Sequence, residues 1–338
     1  MKQAYISHPE TILFREVETP TPGPDEVLIR ISRIGICGSD LHVFKGKHPL
    51  VEFPLVQGHE FSGYVEALGK NVADPSLGDL VTVQPAIGCG ECERCKEGYI
   101  ARCENLSFIG GALPGAGSEY LAVPARHIVR IPEGISPDQA AMTEPLAVAV
   151  HGVDQTPPLG GKDVLIVGGG TIGNLIAQMS LLSEPRRLIV AERVAFRRKI
   201  LSDLSIEVIE PLSDAPIEEQ VADLMGKQPD VCFECAGTAS ALNACIRATR
   251  RGGDVVVLGV YEDNPKTEMI LVQDKELTLT GSLMYTWDDF HGAIGLMERQ
   301  KVSLEPLITH HVSFDNWIEG YRLLVQHPDE TLKVIVDL

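Results

Sequence analysis

A short apolar run that ends in three glycines constrains the fold of this chain more than any other feature. Residues 164–167 read Val-Leu-Ile-Val and lead directly into Gly168, Gly170 and Gly173. In a dinucleotide-binding loop the first glycine allows a tight turn, the second lets the backbone approach the pyrophosphate, and the third lets the following helix pack closely on the strand. The segment therefore predicts a strand, a phosphate-binding loop and a helix.

The residues after these glycines indicate which dinucleotide binds. Thr171 and Ile172 open the predicted helix, where free N–H groups and the positive end of the helix dipole favour phosphate. Glu192 follows the next predicted strand, and an acid at this spacing can bind the ribose hydroxyls of NAD and repel the 2′-phosphate of NADP. Arg193 acts in the opposite sense, since an arginine here can accommodate that phosphate. The sequence favours NAD and leaves NADP open.

The rhythm of apolar residues divides the chain into two parts. Up to about residue 150, short apolar runs are broken by Gly and Pro, which is typical of an all-β, barrel-like unit. From about residue 160, strands alternate with helices, which predicts an α/β unit with a parallel sheet. Residues 285–338 do not extend this rhythm cleanly. We therefore expect a first domain of residues 1–150 completed by 285–338, and a dinucleotide-binding domain of residues 151–284.

The overall charge excludes several classes of function. The 338 residues carry a formal net charge of −18, which repels nucleic acids and anionic membranes. The chain shows neither the apolar core of a signal peptide nor a run long enough to span a bilayer. The sequence therefore predicts a cytoplasmic protein with no nucleic-acid or membrane partner.

Four of the eight cysteines lie in one short loop. Cys89, Cys92, Cys95 and Cys103 have the spacing C-x2-C-x2-C-x7-C. Four thiolates can surround one tetrahedral zinc ion, leave no position for chemistry, and so stabilise a loop that has no core of its own. A disulfide pair and an iron–sulfur cluster are the open alternatives. Cys232 and Cys235 lie on a predicted strand, where they would face apart and serve as core residues.

A second set of metal-binding residue types is spread over the first domain. Cys37, His59, Glu60 and Glu144 offer a thiolate, an imidazole and carboxylates. Three such ligands leave a fourth position for water or substrate, as a catalytic zinc site requires. Taken singly, each residue has an ordinary structural explanation, so the prediction depends on their combination.

Taken together, these motifs resemble those of the zinc-containing medium-chain dehydrogenase/reductase superfamily. The closest likeness is to its polyol branch, which includes sorbitol, L-idonate, galactitol-phosphate, sugar-acid and threonine dehydrogenases. The motifs that carry the resemblance are residues 35–42, 58–60, 89–103, 144–146 and 168–173. The resemblance implies a GroES-like β-barrel catalytic domain, a Rossmann domain with a doubly wound parallel sheet, and a homodimer or homotetramer.

The resemblance also implies roles for individual residues. Cys37 and His59 would hold the catalytic zinc, and Glu60 or Glu144 would complete the set, directly or through water. Zinc would lower the pKa of a substrate alcohol, and hydride would pass to NAD. By motif, Ser39 would accept the proton.

Two further residues are assigned beside the predicted zinc ligands. His42 would pass the proton towards solvent, which suits a residue that titrates near neutral pH. Asp40 would orient a zinc ligand or a backbone turn.

The sequence departs from the family pattern where the substrate binds. Mammalian-type sorbitol dehydrogenases carry an arginine near the position that Met284 or Tyr285 occupies here, which puts sorbitol itself in doubt. An anionic substrate would need another cation, and Lys45, Lys47 and His48 are the nearest candidates; the alternative for these three residues is a solvated loop.

We therefore expect oxidation of a secondary alcohol on a small polyol, inositol or sugar-derived substrate. Two alternatives remain open. One is a threonine-type amino-alcohol dehydrogenase, and the other is a non-catalytic NAD-binding or regulatory protein. His310 and His311 are predicted to lie at the end of a strand.

Overall fold

A computed structural model describes residues 1–47, 52–211 and 215–338. The strands of the described residues, in chain order, are β1 Lys2–His8, β2 Thr11–Glu16, β3 Glu26–Gly35, β4 Glu60–Leu68, β5 Leu80–Val83, β6 Ala86–Ile87, β7 Ser107–Phe108, β8 Tyr120–Pro124, β9 Ile128–Arg130, β10 Asp163–Val167, β11 Arg187–Ala191, β12 Val208–Ile209, β13 Val231–Glu234, β14 Asp254–Val257, β15 Thr278–Gly281, β16 Ile308–Ser313 and β17 Lys333–Asp337. The helices, single 3-10 turns aside, are α1 Gly38–Phe44, α2 Glu93–Lys96, α3 Pro137–Ala141, α4 Thr143–Asp154, α5 Thr171–Leu181, α6 Ala195–Asp203, α7 Ile217–Met225, α8 Ala239–Ala248, α9 Met269–Asp274, α10 Trp287–Glu298 and α11 Trp317–Gln326.

The chain forms two compact units. The first comprises Met1–Ala147 and Tyr285–Leu338, and the second comprises Val148–Met284. The chain leaves the first unit within α4 and re-enters it at Tyr285. No helix in the described part of the chain combines the length and apolar character that crossing a membrane requires.

The first unit is built on a mainly antiparallel sheet. Its strand order is β16-β17-β3-β4-β5-β9, and β8 also pairs with β3. The long strand β3 buries Val27, Ile29 and Ile31 in the core of this unit. The C-terminal strand β17 pairs with β3, so the end of the chain belongs to the same sheet as residues 26–35, while β1 and β2 form a separate two-stranded sheet. The predicted GroES-like, β-rich unit is confirmed.

The second unit is a doubly wound parallel sheet. Its order is β12-β11-β10-β13-β14-β15, and every pairing in it is parallel. This is the 3-2-1-4-5-6 arrangement of dinucleotide-binding folds. All five residues of the central strand β10 are buried, which explains why it reads as a continuous apolar run. The predicted Rossmann-type fold is confirmed.

The structure differs from the sequence-based expectation in several elements, among them one helix and one strand. Helix α7 was not predicted, although Ile217, Val221 and Met225 have the four-residue spacing of one helix face. The prediction that His310 and His311 end a strand is wrong, because β16 continues to Ser313. This strand is at the edge of its sheet and only Val312 in it is buried, so its sequence lacks the apolar alternation that marks a strand with one face in the core.

A network of charges stabilises the start of the parallel sheet. Asp163, the first residue of β10, is fully buried and bonds to Arg186 and Lys227. Asp230, just before β13, accepts a hydrogen bond from the N–H of Asp163 at 2.9 Å and from Nε of Arg250 at 2.6 Å. Burial by itself raises the pKa of Asp230, but the N–H of Asp163 and the cations of Arg250 and Lys227 lower that pKa to about 2.

This depressed pKa predicts a pH-dependent contribution to stability. The folded-state pKa lies below the unfolded value of about 4, so the contribution is complete above that pH and is lost as pH falls towards about 2. After allowance for the half-exposed cations, it amounts to about 1–2 kcal/mol. We expect Asp230→Asn to lower the free energy of urea unfolding by this amount at pH 6 and by about half of it at pH 3. The exposed Asp223→Asn is the control, and equal losses at both pH values would contradict the prediction.

Candidate active site and metal centres

Cys37, His59 and Glu60 come together at one end of the β3–β4 pair. Cys37 precedes α1, two residues after β3 ends, while Glu60 is the first residue of β4. The two strands are antiparallel, and Gly35 pairs with Glu60, so the end of β3 meets the start of β4. One ligand atom from each of the three residues lies within 4.8 Å of the others. The fold thus assembles a thiol, an imidazole and a carboxylate from distant parts of the sequence.

The chemistry of this cluster fits a zinc ion. Thiolate, imidazole and carboxylate are the ligand types that zinc takes in proteins. Burial lowers the pKa of His59, but the negative charges of Asp40 and Cys37 outweigh it and raise the pKa well above its ordinary value. Asp40 is buried, with Oδ1 at 3.3 Å from Nδ1 of His59, while its Oδ2 accepts the N–H of Cys37 at 3.0 Å. Asp40 thus orients both residues, and the surroundings favour a positive charge between them.

Lys333 pairs with Glu60 inside the protein, and the sequence analysis did not single it out. Its Nζ donates to both carboxylate oxygens of Glu60, at 2.8 and 2.6 Å, and to the carbonyl oxygen of Ile36 at 3.1 Å. The two side chains are 3% and 1% exposed. Burial lowers the pKa of Lys333, but Glu60 and Cys37 raise it above its ordinary value. The sequence could have indicated this buried pair, because a lysine begins the otherwise apolar run of β17.

Glu144 and Tyr285 are two further buried residues of the same unit, and among the described residues the Tyr285 hydroxyl has no hydrogen-bond partner. Glu144 lies in the first turn of α4, and Tyr285 is fully buried. Burial raises the pKa of Glu144 to about 7, and the charge of Glu60 adds to the shift. Burial and then Glu144 raise the pKa of Tyr285 well above its ordinary value, so its hydroxyl keeps its proton beside that carboxylate. Glu144 is not part of the three-residue ligand cluster.

Ser39 and His42 lie one turn apart on α1, the helix that begins next to Cys37. Both are half-buried, and their i, i+3 spacing puts them on the same side of the helix. Among the candidate cations for an anionic substrate, Lys45 directly follows α1 and Lys47 is exposed. His48 lies outside the described residues.

The four-cysteine loop brings its sulfur atoms together. One Sγ from each of Cys89, Cys92, Cys95 and Cys103 lies within 4.8 Å of the others, and none forms a disulfide. The Sγ atoms of Cys89 and Cys95 are 4.0 Å apart, close to the roughly 3.8 Å that zinc–sulfur bonds of about 2.3 Å impose on a tetrahedron. Backbone N–H groups, that of Cys92 first, lower the pKa of Cys89 to about 6. The loop therefore fits a zinc ion that all four protein ligands enclose.

A third group of possible ligands already has a cation. Asp138, His311 and Asp337 lie close together, but Nε of Arg33 is 2.7 Å from Oδ1 of Asp138 and 3.2 Å from Oδ1 of Asp337. His311 Nδ1 is 2.9 Å from the same oxygen of Asp337. Arg33 pairs with both carboxylates, so the group is better described as an ion-pair network.

The glycine loop has the geometry that the sequence predicts for a phosphate-binding turn. Gly168 has a φ of +101°, in the region that favours glycine. A Cβ at position 173 would lie 1.8 Å from the carbonyl oxygen of Gly168, so only glycine fits there. Gly170 precedes α5, and Thr171 and Ile172 are its first two residues. The N-terminus of α5 thus has the geometry that suits a phosphate group.

The carboxylate of Glu192 bonds to the backbone around this loop. Its Oε2 accepts the N–H of Gly169 at 2.6 Å, and its Oε1 accepts the N–H of Val194 at 2.7 Å. Arg193 is exposed. Arg197, which the sequence analysis missed, has Nη1 at 4.0 Å from the position that a Cβ on Gly170 would take. The sequence could have indicated Arg197 by its position near the start of α6, the helix that follows Glu192.

Comparisons with known proteins match both parts of the chain to dehydrogenase domains. The family described as "Alcohol dehydrogenase GroES-like domain" matches residues 23–133, and "Zinc-binding dehydrogenase" matches residues 171–299. The chain is 32% identical to L-galactonate-5-dehydrogenase of Escherichia coli (strain K12), over 99% of this chain and 98% of that protein. It is 33% identical to L-threonine 3-dehydrogenase of Pyrococcus horikoshii, over 91% of this chain and 90% of that protein.

A solved structure is similar over the whole chain. It is described as a short chain alcohol dehydrogenase from Escherichia coli CFT073 complexed with NADH. It superposes with a TM-score of 0.93 at 28% identity, and the match covers 100% of this chain and 99% of that one.

The chain belongs to the zinc-containing medium-chain dehydrogenase/reductase family, in its polyol dehydrogenase branch. It is a zinc-dependent alcohol or polyol oxidoreductase that uses a nicotinamide dinucleotide as hydride acceptor.

Proposed function

We propose that this protein oxidises a secondary alcohol to a ketone on a small polyol, inositol or sugar-derived substrate, with NAD as the acceptor. The observation that carries the proposal is the buried pair of Glu144 and Tyr285 in the unit that holds Cys37, His59 and Glu60. A carboxylate and a phenol in a desolvated site can hydrogen-bond a hydroxyl next to the reacting one. Simple alcohols have no such second hydroxyl.

The proposed roles follow from the contacts of each residue. When bound, zinc lowers the pKa of a substrate hydroxyl and the nicotinamide accepts a hydride. Cys37, His59 and Glu60 would hold the metal, and the two hydrogen bonds from Lys333 fix the orientation of the Glu60 carboxylate. We assign Glu60 rather than Glu144 to the ligand set because Glu60 lies in the cluster.

The remaining residues would bind substrate and move its proton. Ser39 takes the proton of the substrate hydroxyl, and His42 carries it one helical turn further along α1. Glu144 and Tyr285 bind a neighbouring hydroxyl and exclude water from it. Their place in the described structure, buried side by side, supports this role.

A threonine-type reaction is the second candidate. It is supported by the identity of 33% to L-threonine 3-dehydrogenase of P. horikoshii. A buried carboxylate such as Glu144 could also bind the ammonium group of an amino alcohol. The carboxylate of threonine would need a cation, and Lys333 is already bonded to Glu60 and Ile36. Because Lys333 already has these partners, its contacts favour a polyol over threonine as the substrate.

The first test is NAD reduction by the zinc-loaded protein on polyols, inositols, sugar acids, sugar phosphates and L-threonine. We expect turnover on a polyhydroxylated class, and Tyr285→Phe should raise KM for that substrate by about tenfold, as the loss of one hydrogen bond implies. The same variant should leave KM for 2-butanol unchanged, since this alcohol offers no second hydroxyl. Turnover on L-threonine alone would establish the second candidate, and equal effects of Tyr285→Phe on both alcohols would contradict the role of the pair.

We also propose that two copies of the chain associate through the edge of the parallel sheet. Strand β15 lies at the end of the sheet order, and an open edge can pair with a second strand. Met269, Ile270 and Leu283 flank it and are 58%, 82% and 63% exposed. Sedimentation velocity should therefore show a dimer or tetramer, and Ile270→Asp should shift it towards a monomer. A wild-type monomer at micromolar concentration would contradict this proposal.

A further inference from the structure

A buried glutamine connects helix α1 to helix α11 in the first unit. Gln57 is 3% exposed and lies two residues before His59, in the segment that leads into β4. Its Nε2 donates to Oδ1 of Asp40 at 3.2 Å and to the carbonyl oxygen of the same residue at 3.3 Å. Its Oε1 accepts a hydrogen bond from the hydroxyl of Tyr321 on α11. Both ends of the side-chain amide therefore have partners inside the protein.

The carboxylate of Asp40 fixes the direction of these hydrogen bonds. An ionised carboxylate only accepts hydrogen bonds, so Gln57 must turn its NH2 group towards Asp40 and its oxygen towards Tyr321. The phenol can satisfy that oxygen only by donating its own proton. A chain of donors thus runs from Tyr321 through Gln57 to Asp40.

Asp40 is the residue through which this chain reaches the candidate metal centre. Its Oδ2 accepts the N–H of Cys37 at 3.0 Å, while its Oδ1, which Gln57 contacts, lies 3.3 Å from Nδ1 of His59. Asp40 is 3% exposed, and a carboxylate so deeply buried needs a donor on each oxygen. Without Gln57, only the N–H of Cys37 would fix the plane of this carboxylate, and its contact with the imidazole would change.

The far end of the chain is fixed by packing. Tyr321 is 1% exposed, and its ring stacks on Phe44 with the centroids 4.3 Å apart and the planes at 11°. Phe44 is the last residue of α1, the same helix that carries Asp40. The stack therefore holds the hydroxyl of Tyr321 in a defined position relative to that helix.

We propose that Gln57 and Tyr321 are positioning residues of the zinc site, which act on the metal through Asp40. Residues that hold the hydrogen-bond partners of metal ligands change metal affinity without contacting the metal. Gln57 acts on Asp40 directly, and Tyr321 acts through Gln57. The proposal rests on the three metal ligands proposed above, which form the open site, and does not depend on the substrate or the coenzyme.

The test is the zinc affinity of the full-length protein, measured by competition with a chelator in the absence of substrate and coenzyme. Cys37→Ala gives the signal of the four-cysteine loop alone, so the difference from it reports the open site. Gln57→Met has a similar size but no donor, and it should weaken zinc binding at the open site about tenfold to a hundredfold. Tyr321→Phe keeps the stacked ring and should weaken it about threefold to tenfold, as the loss of one neutral hydrogen bond implies.

The double variant Gln57→Met, Tyr321→Phe tests whether Tyr321 acts through Gln57. Its zinc affinity should lie within about threefold of that of Gln57→Met alone, because residues of one hydrogen-bond chain are not additive.

A second readout is the visible absorption of the protein with cobalt in the open site, which depends on the geometry of the ligands. Both single variants should shift this spectrum. The control Tyr64→Phe removes a phenol hydroxyl from β4, outside the chain, and should change neither the spectrum nor the zinc affinity. The coenzyme loop lies in the second unit, so all variants should bind NADH within about twofold of the wild type.

The proposal is overturned if Gln57→Met keeps the zinc affinity of the open site within about threefold of the wild type. It is also overturned if Tyr321→Phe weakens zinc binding as much in the Gln57→Met background as in the wild type. Lower thermal stability of the chelator-treated variants, with unchanged zinc affinity and an unchanged cobalt spectrum, would mean that both residues only pack. An error in the ligand set itself is seen separately, because Cys37→Ala would then keep the zinc content of the wild type.

Discussion

Replacing Cys37 by alanine is expected to lower turnover by at least about a thousandfold while the protein stays folded. Cys37 is one of the three residues of the open ligand cluster, and the other two ligands do not suffice to hold a catalytic zinc ion. A metal that polarises the reacting oxygen contributes several kcal/mol to the transition state, and each 1.36 kcal/mol is a factor of ten in rate. Zinc content measured by mass spectrometry should fall from about two ions per chain to about one.

Other cysteines of the chain provide the controls. Cys95→Ser should also remove one zinc ion, but from the enclosed four-cysteine loop, and should therefore lower thermal stability first. Cys232→Ala alters a fully buried cysteine of β13 outside both clusters and should keep both zinc ions and most of the activity. If Cys37→Ala retains both zinc ions and turnover within tenfold of wild type, the catalytic role of the Cys37 cluster is refuted.

Replacing Lys333 by methionine is expected to destabilise the first unit by about 3–5 kcal/mol, because it leaves a buried carboxylate without its cation. Nζ of Lys333 contacts both oxygens of Glu60, and both side chains are almost completely buried. Removing one partner of such a pair is much more costly than the net value of the pair itself. Because zinc bound through Glu60 would supply another cation, the comparison uses chelator-treated proteins, and thermal unfolding of the variant should begin about 10 °C lower than that of the wild type treated in the same way.

The double variant Glu60→Gln, Lys333→Met separates this cause from a general packing defect. It removes both charges, so it should recover more than half of the stability that the single Lys333→Met variant loses. Lys70→Met, on an exposed lysine of the same unit, should have little effect. A loss for Lys333→Met no larger than that control would mean that the Glu60 carboxylate does not depend on Lys333.

Local patterns in the sequence predicted the fold, and the resemblance of its motifs to a known family implied the class of enzyme. The glycine triplet after an apolar run specifies a turn that only glycine can form, and the structure shows that turn at Gly168 and Gly173. The apolar rhythm distinguishes the parallel sheet from the barrel-like unit, since a strand buried on both faces reads as a continuous apolar run. The four cysteines lie within one loop, so their proximity follows from the chain itself. The helix α7 and the full length of β16 were missed because one lies in an acidic segment and the other is an exposed edge strand.

Only the tertiary structure shows which partner each charged side chain has. The sequence left open whether Glu60 or Glu144 completes the cluster with Cys37 and His59, and the antiparallel pairing of β3 with β4 places Glu60 there. It could not reveal that Lys333, more than 270 residues away, holds Glu60, or that the oxygens of Glu192 turn onto the backbone. Periodicity and spacing report contacts between neighbours in the chain. The charge state and orientation of a buried side chain depend on strands that pair across the whole sequence, and so they emerge only when the fold closes around them.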